Sequence, residues 1–216
     1  MRNNKLFKIS YLISVILIIL GFVLSLTIPR LKYKSISNNS VEIVSSLGIN
    51  KNVIIESTYK GKYIEGIGVR AFDSKKIDNI SFRTDKLKYI ERRAFYNSNI
   101  ENIVIPRSVT DIYQNAFSYS KLKTVKFENE SKLNAIPGSC FFNCVDLETI
   151  EIPNNIESVG SLAFFNCKKL KEIYLPSGVS VYNDAFYGCN ITIHCKDTSN
   201  FRSGFDIGAN IKIVND

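Results

Sequence analysis

The chain repeats one short unit six times, at intervals of 22 to 24 residues. In each unit a small residue precedes Phe, and an aliphatic residue stands four positions before the small one. Six copies in register at such a period are typical of a solenoid, in which each coil stacks on the next. The pairs are Ala71-Phe72, Ala94-Phe95, Ala116-Phe117, Cys140-Phe141, Ala163-Phe164 and Ala185-Phe186, and the aliphatic residues are Ile67, Ile90, Ile112, Ile136, Val159 and Val181.

Each unit has two parts that differ in apolar spacing. The first is an L-x-x-I-x-I stretch, such as "LETIEI" at 147–152, whose closing alternation predicts a half-buried strand. The second, such as "VTDIYQNAF" at 109–117, predicts one or two helical turns with Ile112 and Ala116 on one face. Because one coil cannot bury both apolar sets alone, the coils must stack. We therefore expect a parallel β-sheet on one face and short helical turns or loops on the other.

The repeats resemble leucine-rich repeats of the BspA type, whose pattern is roughly I-x-I-P-x-x-V-x-x-I-G-x-x-A-F-x-x-C-x-x-L. The match is close at "IEIPNNIESVGSLAFFNCKKL" (Ile150–Leu170), and the resemblance covers residues 53–195. It implies a leucine-rich-repeat solenoid and a surface protein that binds other molecules without catalysis. Lys75 at the usual Cys or Ser position and Cys140 in place of Ala depart from the pattern, which bears on the regularity of those two coils.

An uncharged apolar stretch, Ile9 to Ile28, precedes the repeats. Twenty helical residues span about 30 Å, the thickness of a bilayer core. We interpret the stretch as a transmembrane signal-anchor at 9–28 that follows a short basic cytoplasmic tail at 1–8. The repeat domain is then extracellular; the alternative is secretion after cleavage of a signal peptide. The Lys-, Asn- and Ile-rich composition favours a bacterial source.

The ends of the repeat domain are predicted to be caps. Residues 29–52 are interpreted as a linker and N-terminal cap, of which 35–52 form a polar link or a short helix over the first coil. Residues 196–216 leave the period and are interpreted as a C-terminal cap, with a closing strand at Ile211–Val214. Six of the net eight positive charges lie in the first 34 residues, so the repeats are nearly neutral, which argues against nucleic acid as a partner.

Five cysteines occur between residues 140 and 195, an odd number that excludes a complete disulfide framework. Cys144, Cys167 and Cys189 stand three residues after a Phe, where Ser98 and Ser120 stand in other copies. Metal binding and disulfide formation are the functional interpretations. The favoured one is a buried column of small side chains, since the C-x4-H-C spacing lacks the paired ligands of a zinc site. No metal and no cofactor is expected.

The alternation of the strands also predicts an outward surface on which a ligand could bind. The residue between the two last apolar positions points away from the core, and stacking aligns it from coil to coil, with a second row beside it. The first row is Ser81, Val104, Lys126, Glu151, Tyr174 and His194, and the second is Asn79, Asn102, Thr124, Thr149 and Glu172. The alternative is a solvated sheet surface without a partner.

The favoured hypothesis is a membrane-anchored surface protein that binds a protein or other macromolecule on a cell surface or matrix. The second is a non-catalytic scaffold subunit of a membrane protein complex. An enzyme, with a small-molecule substrate, ranks last. The chain has a single His, His194, and its neighbour Cys195 projects to the opposite face of a strand, so the two cannot form a nucleophile–base pair.

Overall fold

The structure is a computed structural model, and it describes residues 15–16, 30–47, 50–201 and 211–215. Strands and turns make up the described part of the chain from residue 30 onward. The strands are β1 (Arg30–Ser35), β2 (Ser40–Leu47), β3 (Asn50–Glu56), β4 (Thr58–Tyr59), β5 (Lys62–Ile67), β6 (Ile77–Arg83), β7 (Tyr89–Ile90), β8 (Asn102–Ile105), β9 (Asp111–Ile112), β10 (Thr124–Phe127), β11 (Ala135–Ile136), β12 (Thr149–Ile150), β13 (Ser158–Val159), β14 (Glu172–Tyr174), β15 (Ser180–Val181), β16 (Ile191–Cys195) and β17 (Ile211–Asn215).

The coils build two parallel sheets, because each coil contributes one strand to each. The first sheet contains the L-x-x-I-x-I strands, and its ladder runs in three segments: β3–β6, β8–β10–β12 and β14–β16–β17. The second contains β2–β5–β7–β9 and β11–β13–β15. Like positions pair with like: Val125 lies between Ile103 and Ile150 in the first sheet. The predicted parallel solenoid is confirmed.

The core is a set of side-chain columns that run along the solenoid. The six repeat Phe residues are fully buried, and each ring stacks on the next with centroids 5.1 to 5.4 Å apart. Neighbouring ring planes are within 14° of parallel. Offset stacking of this kind adds to the burial of aromatic surface. Gly160 lies at a close approach of two coils, because a Cβ there would be 2.5 Å from the backbone nitrogen of Gly138 in the preceding coil.

The segments around the Ala-Phe pairs are successive turns that hydrogen-bond to the neighbouring coil. The predicted helical turns are therefore wrong for the described repeats. Phe95 donates its N–H to the carbonyl of Ala116 in the next coil (2.7 Å), whereas Tyr96 donates to Arg93 within the turn (3.1 Å). A helix would direct every N–H along its own axis and leave the carbonyls of the neighbouring coil unpaired. Positive φ angles also interrupt a right-handed helix. Two residues after Phe they occur at Ser74, Asn97, Tyr119, Asn143, Asn166 and Gly188.

Strands also form the N-terminal cap. Antiparallel β1 and β2 precede the first repeat, and β2 with β3 forms an additional coil, so residues 40–47 are not the short helix considered above. The hydroxyl of Tyr89 donates to Glu42 Oε2 (3.2 Å), which ties the cap to the third coil, and the Tyr89 ring occupies the space of a side chain at Gly66. At the other end β17 pairs with β16, where a closing strand was expected.

Most of the predicted membrane-spanning segment lies outside the described residues. The tail at 1–8 is not described, and within 9–28 the structure describes Val15 and Ile16, whose backbone is helical. In the described ranges, no helix combines the length and the apolar character that crossing a bilayer requires.

Candidate ligand-binding surface

The outer surface of the first sheet arises from the two-residue alternation of its strands. In β8, Ile103 and Ile105 are buried in the core, while Asn102 and Val104 are exposed. The same alternation recurs in β14, where Ile173 is buried between two exposed residues. Each coil therefore places two outward side chains on this surface.

Strand pairing brings the outward residues of neighbouring coils side by side. Val104 pairs with Lys126, and Thr124 lies between Asn102 and Thr149 in adjacent strands. The ladder stops between β6 and β8 and between β12 and β14, although the strands in both pairs remain in contact. All eleven predicted residues are exposed or half-buried on this sheet: Asn79, Ser81, Asn102, Val104, Thr124, Lys126, Thr149, Glu151, Glu172, Tyr174 and His194. Their role in binding a ligand remains a prediction.

From Asn79 to Thr149, the second row of this surface carries amides and hydroxyls. The side-chain amide of Asn79 donates to Asn52 Oδ1 (3.0 Å), and the hydroxyl of Thr149 donates to Thr124 Oγ1 (3.4 Å). Beside them, Val104 of the first row is 49% exposed. These hydrogen bonds align groups that retain further donor and acceptor capacity toward a ligand.

The first row is charged and aromatic from Lys126 onward. Lys126 Nζ lies 2.8 Å from Glu151 Oε1, and both side chains are more than half exposed. Tyr174 and His194 stack with ring centroids 4.3 Å apart, and His194 Nε2 lies 3.9 Å from Glu172 Oε2 of the second row. The two rows therefore differ in chemistry.

A cavity of about 280 Å³ opens between β6 and β8, where the ladder is interrupted. Five of the eleven predicted residues line it, together with two Ile residues of the strands. Its lining consists of Asn79, Ile80, Asn102, Ile103, Val104, Thr124 and Lys126. Because polar groups converge there on exposed apolar surface, the cavity has the mixed character of protein binding sites.

A larger groove of about 580 Å³ lies beyond the ends of β10 and β12, and only Glu151 among its lining residues belongs to the predicted rows. The others include Glu128, Glu130 and Asn155 from the segments that follow the strands. Glu128 accepts the backbone N–H of Arg107 (3.0 Å), and Glu130 lies 3.6 Å from the Arg107 guanidinium. The negative charge of the groove is therefore partly compensated by Arg107.

The sequence prediction missed members of the two outward rows at both ends of the first sheet. Asn52 and the 40% exposed Ile54 extend the two rows through the pairing of β3 with β6. The buried Val53 and Ile55 on either side of Ile54 repeat the alternation of the later strands, so "VIIE" at 53–56 contained the indication. At the other end, Thr192 continues the second row beside Glu172.

The five cysteines are free and buried, as expected for a structural column. The thiol of Cys144 donates to the carbonyl of Phe117 (3.1 Å), and Cys167 and Cys189 make the equivalent bond to the preceding coil. Burial raises the pKa of the Cys144 thiol to about 12 and the pKa of Cys189 to about 11. Reactive cysteines have a lowered pKa and are accessible, so these thiols are poor nucleophiles.

The arrangement at His194 agrees with the expected geometry of the strand. Cys195 is buried in the core, while His194 is half-buried on the outer surface beside Tyr174. Within the described residues, no group of three or more His, Cys, Asp or Glu side chains could hold a metal ion.

A comparison with curated proteins found no match. Several crystal structures resemble the chain. A T. pallidum leucine-rich repeat protein (TpLRR) gives a TM-score of 0.52 at 21% identity, over 76% of this chain and 68% of that one. One from Bacteroides ovatus ATCC 8483 gives 0.36 at 20%, over 87% and 66%. The pneumococcal vaccine antigen PcpA gives 0.45 at 19%, over 82% and 49%.

The chain therefore spans two thirds of the B. ovatus protein and half of PcpA. Of these three, only the T. pallidum protein gives a TM-score above 0.5, and at 21% identity that resemblance concerns the fold alone. A family model identifies the repeats more directly than the similarity to these structures does. The model of the BspA type leucine-rich repeat region matches six copies over residues 65–193, which is more than half of the chain. This chain belongs to the BspA type leucine-rich repeat family.

Proposed function

We propose that this chain is a membrane-anchored cell-surface protein that binds a macromolecular partner through the outer surface of its first sheet. The observation that carries the proposal is the cavity between β6 and β8, together with the aligned outward residues around it. Repeat proteins commonly bind through such an extended surface. The partner that fits is a protein or another hydrogen-bonding macromolecule that covers several coils.

The chemistry of the surface supports binding rather than catalysis. Leucine-rich repeat proteins typically bind proteins and are generally non-catalytic. The outward groups are amides, hydroxyls, paired charges and a stacked Tyr174–His194 pair, and the buried thiols have raised pKa values. The anchoring part of the proposal rests on the uncharged stretch Ile9 to Ile28, which is long enough to span a bilayer.

Protease treatment of intact cells that express the full chain with a C-terminal tag tests the location. An impermeant protease should remove the tag while a cytoplasmic control protein stays intact. Protection of the tag, in cells whose known surface proteins are digested, would instead place the repeats in the cytoplasm. The chain would then be better described as a scaffold held at the membrane.

A matched pair of variants tests the binding surface. Val104 and Val69 are equally exposed (49% and 50%), but Val104 lies on the first sheet and Val69 on the turn that follows β5. Cells that display the parent chain are tested for attachment to immobilised collagen, fibronectin and epithelial cell layers. We expect Val104→Arg to lower attachment at least about tenfold, since a misplaced charge in an interface centre costs more than about 1.4 kcal/mol. Val69→Arg should attach like the parent.

Two results would contradict the proposal. Equal attachment by both variants and the parent would mean that the first sheet is not part of the binding site. No attachment by displayed parent protein, combined with stable co-purification of another membrane protein, would favour the alternative function of a scaffold subunit in a membrane complex.

A further inference from the structure

We propose that the exposed face of strand β1 lies along an anionic bilayer surface, so that the N-terminal cap is an electrostatic contact with lipid headgroups. The proposal rests on the membrane anchor of the proposed function, because the apolar stretch ends at Ile28, two residues before β1 begins. It adds an orientation: the solenoid rests on the membrane along this strand and does not stand upright on its anchor.

The alternation of β1 separates its charged residues from its apolar ones. Arg30, Lys32 and Lys34 are exposed, whereas Leu31 and Tyr33 are half-buried and pack against the core. A strand places alternate side chains on opposite faces, so the three cations share one face. An outer edge strand has a general reason to be charged, since charge discourages pairing with other chains, but that requirement does not specify the sign.

Two further cations lie at the end of β1, on the side of its half-buried residues. Lys62 Nζ donates to Ser35 Oγ (3.2 Å), and Ser35 pairs with the buried Val41. Lys60 is exposed and lies 5.5 Å from the ring of Tyr59, which stacks on Tyr33 of β1. The cations of the exposed face itself are therefore Arg30, Lys32 and Lys34.

The acid nearest to this face offsets little of its charge. Glu42 lies 3.6 Å from Lys34 Nζ, but its side chain is only 15% exposed. Its other carboxylate oxygen accepts the hydroxyl proton of Tyr89. Two further acids, Glu65 and Glu91, also act on the Tyr89 hydroxyl, and Glu65 pairs with Lys88 (2.8 Å). The exposed face of β1 itself carries three cations and no acid, so an anionic partner complements it.

The proposed membrane anchor ends two residues before β1 and would hold this surface next to a bilayer, so anionic lipid is the partner that we infer. Cations within about 8 Å of a bilayer at physiological salt are attracted by its anionic headgroups. Successive cations on this face are about 7 Å apart, so an upright β1 would hold Lys34 about 14 Å from Arg30 and outside that range, whereas a flat β1 brings all three to the headgroups. Since β1 belongs to the second sheet, this contact leaves the first sheet uncovered for its partner.

A single reporter distinguishes the two orientations. The chain contains no Trp, and Ile36 is 44% exposed in the turn that follows β1. Full-chain Ile36→Trp protein is reconstituted into vesicles of phosphatidylcholine alone or with about one quarter phosphatidylglycerol. Both contain a phosphatidylcholine whose headgroup carries a spin label that quenches nearby indole fluorescence. A flat β1 brings the indole to the headgroups, and an upright β1 holds it about 20 Å away.

We expect strong quenching with phosphatidylglycerol and weak quenching without it. Each cation favours contact about fivefold, so Lys32→Gln/Lys34→Gln should lower the ratio of contacting to upright protein at least about fivefold, because Lys34 reaches the headgroups only in the flat orientation. The matched control is Lys196→Gln/Lys212→Gln, which removes the same charge from exposed positions at the other end of the solenoid. Circular dichroism verifies that each variant is folded. In the parent protein, a rise in salt should reduce quenching without any substitution at the cations.

The possible results test the flat orientation of β1 and the membrane anchor separately. Protein that resists extraction from both vesicles, but shows the same quenching in both, is anchored and overturns the flat orientation. Protein that binds only phosphatidylglycerol vesicles, and that salt removes, overturns the anchor but supports the cationic face. Protein that binds neither vesicle overturns both.

Discussion

The inside of the turns and the outside of the first sheet come from the same repeats, yet they differ in how much they change from coil to coil. The buried aromatic position is Phe in all six repeats, whereas the first outward row holds a different residue type in each: Ser81, Val104, Lys126, Glu151, Tyr174 and His194. An interior side chain contacts its own copy above and below, so one residue type satisfies every coil. An outward side chain contacts solvent or a partner, so it can differ. We therefore expect stability to depend on the repeated positions and the proposed recognition to depend on the variable ones.

Neighbouring Phe residues of one repeat test the contrast most strongly. Phe164 is fully buried between Phe141 and Phe186, whereas Phe165 is partly exposed beside Phe142. We expect Phe164→Ala to lower the free energy of unfolding by about 3–5 kcal/mol, because it removes a ring from the centre of a column. Phe165→Ala should cost clearly less, since part of its surface is already hydrated. Urea unfolding of the full chain measures both, and equal losses would show that burial does not separate the two columns.

The period of the repeats was sufficient to predict the parallel stacking and the outward rows. Once the coils stack in register, the two-residue alternation of a strand fixes which side chains face outward, as at Asn102 and Val104. The helical turns were wrong because an apolar spacing of three and four also fits successive turns. Asn97, Asn143, Asn166 and Gly188 stand at the same position of their repeats with positive φ. Asn and Gly adopt that conformation more readily than other residues, so this column was the available indication against a helix.

The cavity between β6 and β8 could not be predicted in the same way. Its residues were predicted to face outward, but the opening depends on where the ladder is interrupted. The interruption lies between two strands whose sequences follow the same apolar alternation, so the pattern within a single repeat does not encode it. The additional coil of β2 and β3 was missed because it lacks the Ala-Phe pair that defined the period.

The buried thiols provide a second, smaller test of the repeated interior. Burial raises the pKa of Cys144 from 9.0 to about 12, so its contribution to stability is complete below pH 9 and is lost as pH rises toward 12. At about pH 10, this one thiol should cost the folded state about 1.4 kcal/mol relative to neutral pH. Ser at this position does not ionise in that range, so the loss between pH 8 and pH 10 should be smaller for Cys144→Ser by this amount.

The measurement is urea unfolding under reducing conditions at both pH values. Ser120 occupies the equivalent position of the preceding repeat, so the substituted hydroxyl should be accommodated at neutral pH. The control is Ser98→Ala, at the equivalent position two repeats before Cys144, which leaves the thiols and their hydrogen bonds in place and should keep the alkaline loss of the parent. The same alkaline loss in Cys144→Ser and the parent would mean that Cys144 ionises as easily in the folded protein as in the unfolded chain.

The ion pair between Lys126 and Glu151 should have the smallest effect, because it lies on the variable side of the comparison. Its Nζ–Oε1 distance is only 2.8 Å, but the side chains are 53% and 65% exposed. Exposed pairs contribute about 0.2–1 kcal/mol, and salt screens them. A double-mutant cycle with Lys126→Ala and Glu151→Ala should give a coupling energy in that range, which decreases in about 1 M salt. A coupling above about 2 kcal/mol that is insensitive to salt would mean that the outer row stabilises the fold as the interior does. Lys126 and Glu151 would then stabilise the fold although they belong to the variable first row. The distinction between stabilising and outward positions would fail at this pair.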